Sequence, residues 1–473
     1  MRNGFLASLA TLAAGAGLAF AQASPPSNPT NPTPAPFPFL PTSAQPEGVS
    51  GFGNDEGLNP AAPSGEPSLP MEPWVGVSVP DDEPNAFCGD QEAPTDKKKA
   101  WQIFPLWKGP GRVWASADYL LWEVKKGPVP VPLVTTGTPA SQAILGVPGT
   151  AVLFGNTSID YGDFSGGRFS LGVNSEDHTS AIEGNYFFLA SRHSSFGASS
   201  DVTGSPVFGR PFINSLTGTE TVSLISLPGA FTGSVGVGSS LDLKGAEMNF
   251  VQNASHSLIT SVDLLVGFRY LNLRETLAIA QTSTLLPGGS LGFEGSSVLA
   301  PATISVSDNF TTRNEFYGGQ VGAQVEFRPW KKVLFVLLSG KVAFGDTHEV
   351  LNSTGQSSLS GTGGPTQTVP GGLLAAGSTS GRSGHDQFSV VPEGLVAAGI
   401  DIAHNVRLYA GYSYLFWDDV LRPGNQINRI QNPSAVPTSL TFGAGLGTPV
   451  PPSSANRSDF WAQGLTVGVA ILY

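Results

Sequence analysis

The sequence predicts an all-β protein: a closed antiparallel up-and-down transmembrane barrel of about ten strands, with long loops at one end and a disordered Pro-rich N-terminal segment. Three observations carry this reading. Apolar residues recur with period two from Gly111 to the C-terminus. The connections alternate strictly between short and long. No apolar run reaches the roughly 18 residues that a spanning helix needs, so any crossing must be made by strands.

Residues 1–23 read as a signal peptide. Arg2 supplies the positive charge, Phe5 to Phe20 is apolar, and Ala19-Phe20-Ala21 and Ala21-Gln22-Ala23 both fit a small-x-small cleavage site. The run is too short for a membrane anchor and breaks at Pro25. Residues 24–110 form a Pro-rich periplasmic tether, as in "SPPSNPTNPTPAPFPFLPTSAQPEG", whose composition buries too little surface to offset the entropy of ordering. Cys88, the one cysteine, lies there and excludes an intrachain disulfide.

Residues 111–473 make the barrel. Ten segments alternate. The first sets Val113, Ala115, Ala117, Tyr119 and Leu121 against Trp114, Ser116 and Asp118. Next, Phe169 and Leu171 oppose Arg168, and Ile182, Tyr186 and Phe188 oppose Glu183 and Asn185. "LDLKGAEMNFV" is a strand of uncertain phase. Val262 to Phe268 alternate against Asp263 and Arg269, and Val321 to Phe327 against Gln324 and Glu326. Lys341 opposes Val342 and Phe344. Ile400 and Ile402 oppose Asp401, and Leu408 and Tyr412 oppose Arg407. The last strand carries Leu465, Val467, Val469, Ile471 and Tyr473. Most segments approach the 9–11 residues of a tilted crossing strand. Short links ("NSEDHT", "NASHS", "RPWKK", "AHN") alternate with long ones rich in Gly, Ser, Thr and Pro, which with both ends on the short-turn side requires an even strand number. The "AHN" link places Asp401 opposite Arg407 inside the barrel.

A soluble sandwich is the competing explanation, with the apolar face turned into a core. The second face of the last strand is Gly, Ala and Thr without charge, which suits a narrow lumen better than water. Aromatics near strand ends (Tyr119, Phe188, Tyr270, Phe344, Phe416 and Tyr473) suit a lipid boundary. Charged residues make up 13% of the chain, against about 25% in a typical soluble domain. The net charge of -12, with no basic patch, speaks against a nucleic-acid partner. Outer-membrane lipid is the expected partner, after Sec export with the N-terminus left in the periplasm. The row ending at Tyr473 reads as an insertion signal for barrel-assembly machinery, and the cell wall is a candidate partner for the tether.

Several stretches in order from Trp114 to the end, among them "WASADYLLW", "IEGNYFFLASR", "LLVGFRYLNLRETL", "DNFTTRNEFYGGQVGA", "GYSYLFWDDVLRPGNQIN" and "SDFWAQGLTVGV", resemble the putative beta-barrel porin-7 family of bacterial outer-membrane proteins. One departure is Glu123, where a second aromatic is expected after Trp122. The resemblance implies a membrane barrel and a pore, and names no solute.

Phosphate loops, zinc spacings and serine elbows are missing in a convincing context, so neither cofactor nor metal is expected, and no enzyme. The expected function is porin-like passive diffusion of small polar solutes. The candidate pore lining is Asp118, Arg168, Glu183, Asn185, Asp263, Arg269, Gln324, Glu326, Lys341, Asp401 and Arg407. The alternative is a non-conducting surface, adhesion or envelope-structural barrel, because a barrel of eight to ten strands has little room inside. A further alternative is a hydrolase at the rim. Asp160, Asp163, Asp346, His348, His385, Asp386, Asp418 and Asp419 are expected at strand ends around the mouth, and Asp346-x-His348 is similar in spacing to the carboxylate and histidine of omptin proteases.

Overall fold

A computed structural model describes residues 110–330, 333–451 and 455–473; the expected signal peptide, Cys88 and all but the last residue of the expected tether lie outside them. Ten strands form one closed antiparallel ring: β1 (Pro110–Val124), β2 (Phe164–Ser175), β3 (Ser180–Ser199), β4 (Phe231–His256), β5 (Thr260–Leu285), β6 (Thr303–Trp330), β7 (Leu334–Ser360), β8 (Gly381–Ala403), β9 (Val406–Leu421) and β10 (Arg457–Leu472). Each pairs with its neighbours in sequence, and β10 closes the ring on β1 with Tyr119 opposite Val467 and Leu121 opposite Leu465. Closure leaves no sheet edge in hydrocarbon, where each unpaired backbone group costs several kcal/mol. The C-terminal strand is therefore held on both sides, by β1 and by β9.

Alternation sets the wall. Tyr119, Leu171, Phe268, Val321, Val396, Tyr412 and Val467 stand exposed on the outside and form a lipid-facing belt. Inside, the intervening residues are charged, small or aromatic. The short links fall at one end (176–179, 257–259, 331–333 and 404–405), and the long ones at the other. At the last short turn the register pairs Asp401 with Arg407, after an irregularity next to Ala403.

Two features differ from the expectation. First, β4 to β7 are 26, 26, 28 and 27 residues long, well beyond a membrane crossing. At about 3.3 Å per residue such strands run roughly 85 Å, so their far halves stand clear of the belt and build a head. Second, the long connections are not plain loops. They supply a separate sheet of Gly127–Gly137, Ala151–Ile159, Val207–Asn214, Thr219–Ser226 and Ile430–Gln431. Val129, Leu133, Phe208, Phe212 and Ile225 of this sheet belong to one buried cluster with Val235, Val237, Leu277, Ile279, Ile304 and Phe310 of the long strands. The head is thus a packed body whose core continues into the apolar layer of the barrel at Trp122, Phe316 and Trp417, which is why its strands persist beyond the lipid.

Within a strand the apolar face changes sides without a break in pairing. On β5 the even residues Leu264, Val266 and Phe268 are exposed, whereas from Leu271 on the odd residues Leu271, Leu273, Leu277 and Ile279 are buried. On β6 the change falls between Tyr317, exposed, and Phe316, buried. The outer face of the head is polar, with hydroxyl pairs across strands at Thr276–Thr311 (3.3 Å), Thr282–Ser305 (3.2 Å) and Thr284–Thr303 (3.0 Å).

Candidate functional site

The lumen is the candidate site, and it is filled in layers. Nearest the short turns, Glu326, Arg328, Asp401 and Arg407 form a ring: Arg328–Glu326 at 2.5 Å, Arg328–Asp401 at 2.7 Å, Arg407–Glu326 at 3.1 Å and Arg407–Asp401 at 3.3 Å. Both guanidinium groups lie over the Phe335 ring, at 5.5 and 5.4 Å. Asp263 accepts a hydrogen bond from Asn253 at 2.6 Å, and Gln324 is half-buried nearby in sequence.

The second layer is drier. Arg269 pairs with Glu247 at 2.6 Å and also with Glu393. Lys341 joins the same two carboxylates, and Arg168 reaches Glu393 at 3.2 Å. Gln320 donates to Glu247 at 2.9 Å, and Asn249 to Glu183 at 3.2 Å; Asn185 also donates to Glu247. Tyr409 donates to Asp118. That bond depends on Gly468, where a Cβ would stand 2.1 Å from the Asp118 carboxylate and 2.6 Å from the Tyr409 ring. Charges withdrawn from water this far persist only when paired on several sides, and here Arg269 and Lys341 each bridge Glu247 and Glu393 from different strands. The cavity among Arg168, Asn185, Glu247, Arg269 and Glu393 measures about 10 Å³, room for one water at most.

The third layer is apolar. Arg168 sits 5.6 Å from the ring centres of both Trp122 and Phe187, capping the charged layer with aromatic faces. Beyond it Leu120, Leu189, Leu271, Phe316, Leu415, Trp417 and Phe460 are fully buried. The indole N–H of Trp417 donates to Thr347 at 3.0 Å, and Phe316 meets Trp417 edge-on at 6.1 Å. A fourth level, at the base of the head, is again ionic: Arg422 is fully buried against Glu275 and donates to the Lys125 carbonyl at 3.2 Å, and Arg457 pairs with Glu349 at 2.8 Å. Higher still, Arg210 pairs with Asp308 at 2.6 Å, whose carboxylate also accepts the backbone N–H of Leu374 and Ala375.

All eleven residues expected to line a pore occupy inward positions. The structure gathers most of them into layers of ion pairs and hydrogen bonds across the lumen. Seven partners were missing from that set: Glu247, Asn249, Asn253, Gln320, Arg328, Glu393 and Tyr409. Glu247 and Asn249 lie on the strand of uncertain phase. Its inward row runs Leu241, Leu243, Glu247, Asn249 and its outward row Met248, Phe250, so neither face reads as the greasy one. Glu393 lies within β8, in phase with Asp401 and eight residues before it, outside the short stretch around Asp401 whose alternation the sequence shows.

The rim acids fare differently. Asp346 and His348 are not at a strand end but within β7, and they face outward on the wall. His348 Nδ1 lies 2.7 Å from Asp386, its cross-strand partner on β8. The omptin-like spacing therefore does not form a cleft at the mouth: even positions of β7 point away from the lumen. Asp160 instead pairs with Lys126 at 2.7 Å, and that hydrogen bond lowers the Asp160 pKa. Among the described residues no cluster of His, Cys, Asp and Glu could hold a metal.

A closed ten-stranded ring with this sequence meets one family model, that of putative beta barrel porin-7, over residues 114–473. The chain belongs to that family. Membership covers the whole barrel and agrees with the stretches that resembled it. Solved structures similar to the chain include the outer membrane protease OmpT from Escherichia coli, at 8% identity over 77% of this chain and 97% of that one, with a TM-score of 0.35. Others are a TodX monoaromatic hydrocarbon channel mutant (8%, 77% and 90%, TM-score 0.21) and a Pseudomonas aeruginosa FadL homologue (8%, 76% and 90%, TM-score 0.19). No curated protein matches. The fold is that of an outer-membrane β-barrel.

Proposed function

We propose that this protein is a non-conducting outer-membrane barrel that anchors a folded head at the cell surface, for adhesion or envelope organisation. One observation carries the reading: an ion-paired layer within the belt and an apolar layer at its upper rim, stacked in series, fill the barrel. A hydrated solute would have to break buried ion pairs and then cross a stack of Trp, Phe and Leu side chains. The alternative, passive diffusion of small polar solutes, draws on family membership and on the inward charges, but most of those charges are held in ion pairs with one another. In this reading the short turns and the N-terminal tether face the periplasm after Sec export. The outward row from Leu465 to Tyr473 serves barrel-assembly machinery before β10 pairs. No catalytic role is assigned.

Planar bilayers test it. Refolded full-length protein should give flat current traces, whereas variants with Trp122, Phe187 and Trp417 all changed to Ala should begin to flicker. Reproducible conductance steps from the wild type would remove the proposal in favour of the pore. Deleting residues 438–447 of the head should impair surface contact without unfolding the belt.

A further inference from the structure

Just beyond the belt, Lys244 on β4, Arg274 on β5 and Arg313 on β6 project from the outer wall and are exposed. The register sets Arg274 directly opposite Arg313, with Lys244 one step lower beside Asn272. Like charges directly opposite each other on a strand pair destabilise it. The neighbouring pair one step up, Thr276–Thr311, shows what a water-facing wall uses when nothing else is asked of it. Arg313 is steadied by Glu315 at 2.6 Å, which also accepts a hydrogen bond from Tyr270 at 2.9 Å. Among the described residues Lys244 and Arg274 have no ion pair and no side-chain hydrogen bond, although Asp242 stands opposite Arg274 in register.

Height locates the cluster. Tyr270 and Tyr317, whose rings are 5.0 Å apart, mark the upper rim of the belt. Arg274 is four residues further, about 13 Å along the strand and, with a tilt near 40°, about 10 Å above the tyrosines. Headgroups occupy roughly 5–7 Å beyond the hydrocarbon, and long cationic side chains bend toward them. Elsewhere on the outer wall near this level Glu123, Asp346 and Asp386 are acidic, Asp459 is paired with Lys125 at 2.6 Å, and Arg382 on β8 is a further exposed arginine. Basic side chains on adjacent strands, one pair directly opposite, are thus found in the sector of β4 to β6.

We infer that the sector of Lys244, Arg274 and Arg313 docks the phosphate-bearing headgroup of a lipid whose acyl chains lie on the belt below. Two guanidinium groups side by side match phosphate geometry, and the ammonium group completes the site from the adjacent strand. The inference uses the lipid-facing wall and is independent of whether the lumen conducts.

The test is binding of refolded full-length protein, in neutral detergent, to fluorescent bis-phosphorylated lipid A. Lys244→Ala with Arg274→Ala should bind roughly thirtyfold more weakly, and Lys244→Arg, which keeps the charge and both original guanidinium groups, should retain binding. Wild type should bind the dephosphorylated glycolipid as poorly as the Ala pair, and added NaCl should erode the difference. Equal affinity of wild type and the Ala pair overturns the inference, as does equal affinity for the dephosphorylated lipid. Full competition by equimolar inorganic phosphate overturns it too, since the site would then recognise a free anion. If the Ala pair does not fold, Arg274→Gln alone should show about a fivefold loss, and no loss refutes the site.

Discussion

The two halves of β5 share one ladder and opposite chemistry. From Leu264 to Phe268 the outside is apolar and the inside carries Asp263 and Arg269; from Leu271 to Ile279 the inside is apolar except for the ion-paired Glu275, and the outside carries Arg274 and Thr276. Nothing in the backbone marks the change, because the pairing of β5 with β6 runs unbroken from Phe327–Thr260 to Thr303–Thr284. The solvent outside the wall sets the rule. Against lipid, apolar side chains lose nothing by facing out, and the interior must be filled by groups that satisfy one another. Against water, apolar burial inside stabilises the head at roughly 25 cal/mol per Å² removed from solvent.

The sharpest way to separate the halves is to remove one partner of the fully buried Glu275–Arg422 pair at the base of the head. Glu275→Ala leaves a guanidinium in a dry site and should cost about 3–5 kcal/mol. Limited proteolysis should then cut the head while the belt fragment stays resistant. Loss of both together would show that the halves fold as one unit.

Next, the same substitution made on one face of β5 should have opposite consequences in the two halves. Val266→Arg puts a cation on the lipid face near mid-belt, at a cost of about 2–4 kcal/mol in bilayers. Thr276→Arg, ten residues on and on the same face, should change stability by less than about 0.5 kcal/mol. Urea titrations of vesicle-refolded protein measure both. Equal costs would refute the boundary near Tyr270.

These contrasts also explain what could be read beforehand. The ten crossing segments were legible because lipid demands a greasy outer face, and period two then identifies each strand. The far halves were not, since their greasy face is the inner one, so the apolar rows of β4 and β5 seem to lose phase at Leu243 and Leu271. The inserted sheet was hidden by composition. "GPVPVPLVTTG" contains three prolines, which argue against a strand, yet it pairs with Ala151–Ile159 through repeated register shifts that absorb them. Of the charged layers only one contact was foreseen, Asp401 with Arg407, because a tight turn fixes it locally. Arg168 meets Glu393 across 225 residues of chain, and no spacing rule reaches that far.

The head has a pH signature of its own in Tyr161, whose hydroxyl is buried beside Ser239 at 2.6 Å. Burial pushes its pKa up to about 12 from 10.0. The folded state therefore holds the proton more tightly than the unfolded chain. The stabilisation is complete below pH 10 and is lost as the pH rises through 12, amounting to at most about 3 kcal/mol. Unfolding of the head followed between pH 9 and 12 should show this slope, and Tyr161→Phe should flatten it. An unchanged slope would assign the loss to other groups.

The smallest effect is expected where the belt meets the short turns. Asp401 shares Arg328 and Arg407 with Glu326, and all four side chains keep 18–30% of their exposure. Asp401→Asn removes one charge from a ring in which each arginine retains a carboxylate and the Phe335 face. Solvent screens what remains, so the loss should be about 0.2–1 kcal/mol, smaller in high salt. Arg269→Ala, one layer deeper, strips Glu247 and Glu393 of a shared partner where no water can replace it, and should cost several times more. Measured side by side in urea, the two variants report how steeply water is excluded along the lumen. If they cost the same, water reaches the second layer, and the ion pairs there line a wet passage instead of sealing it.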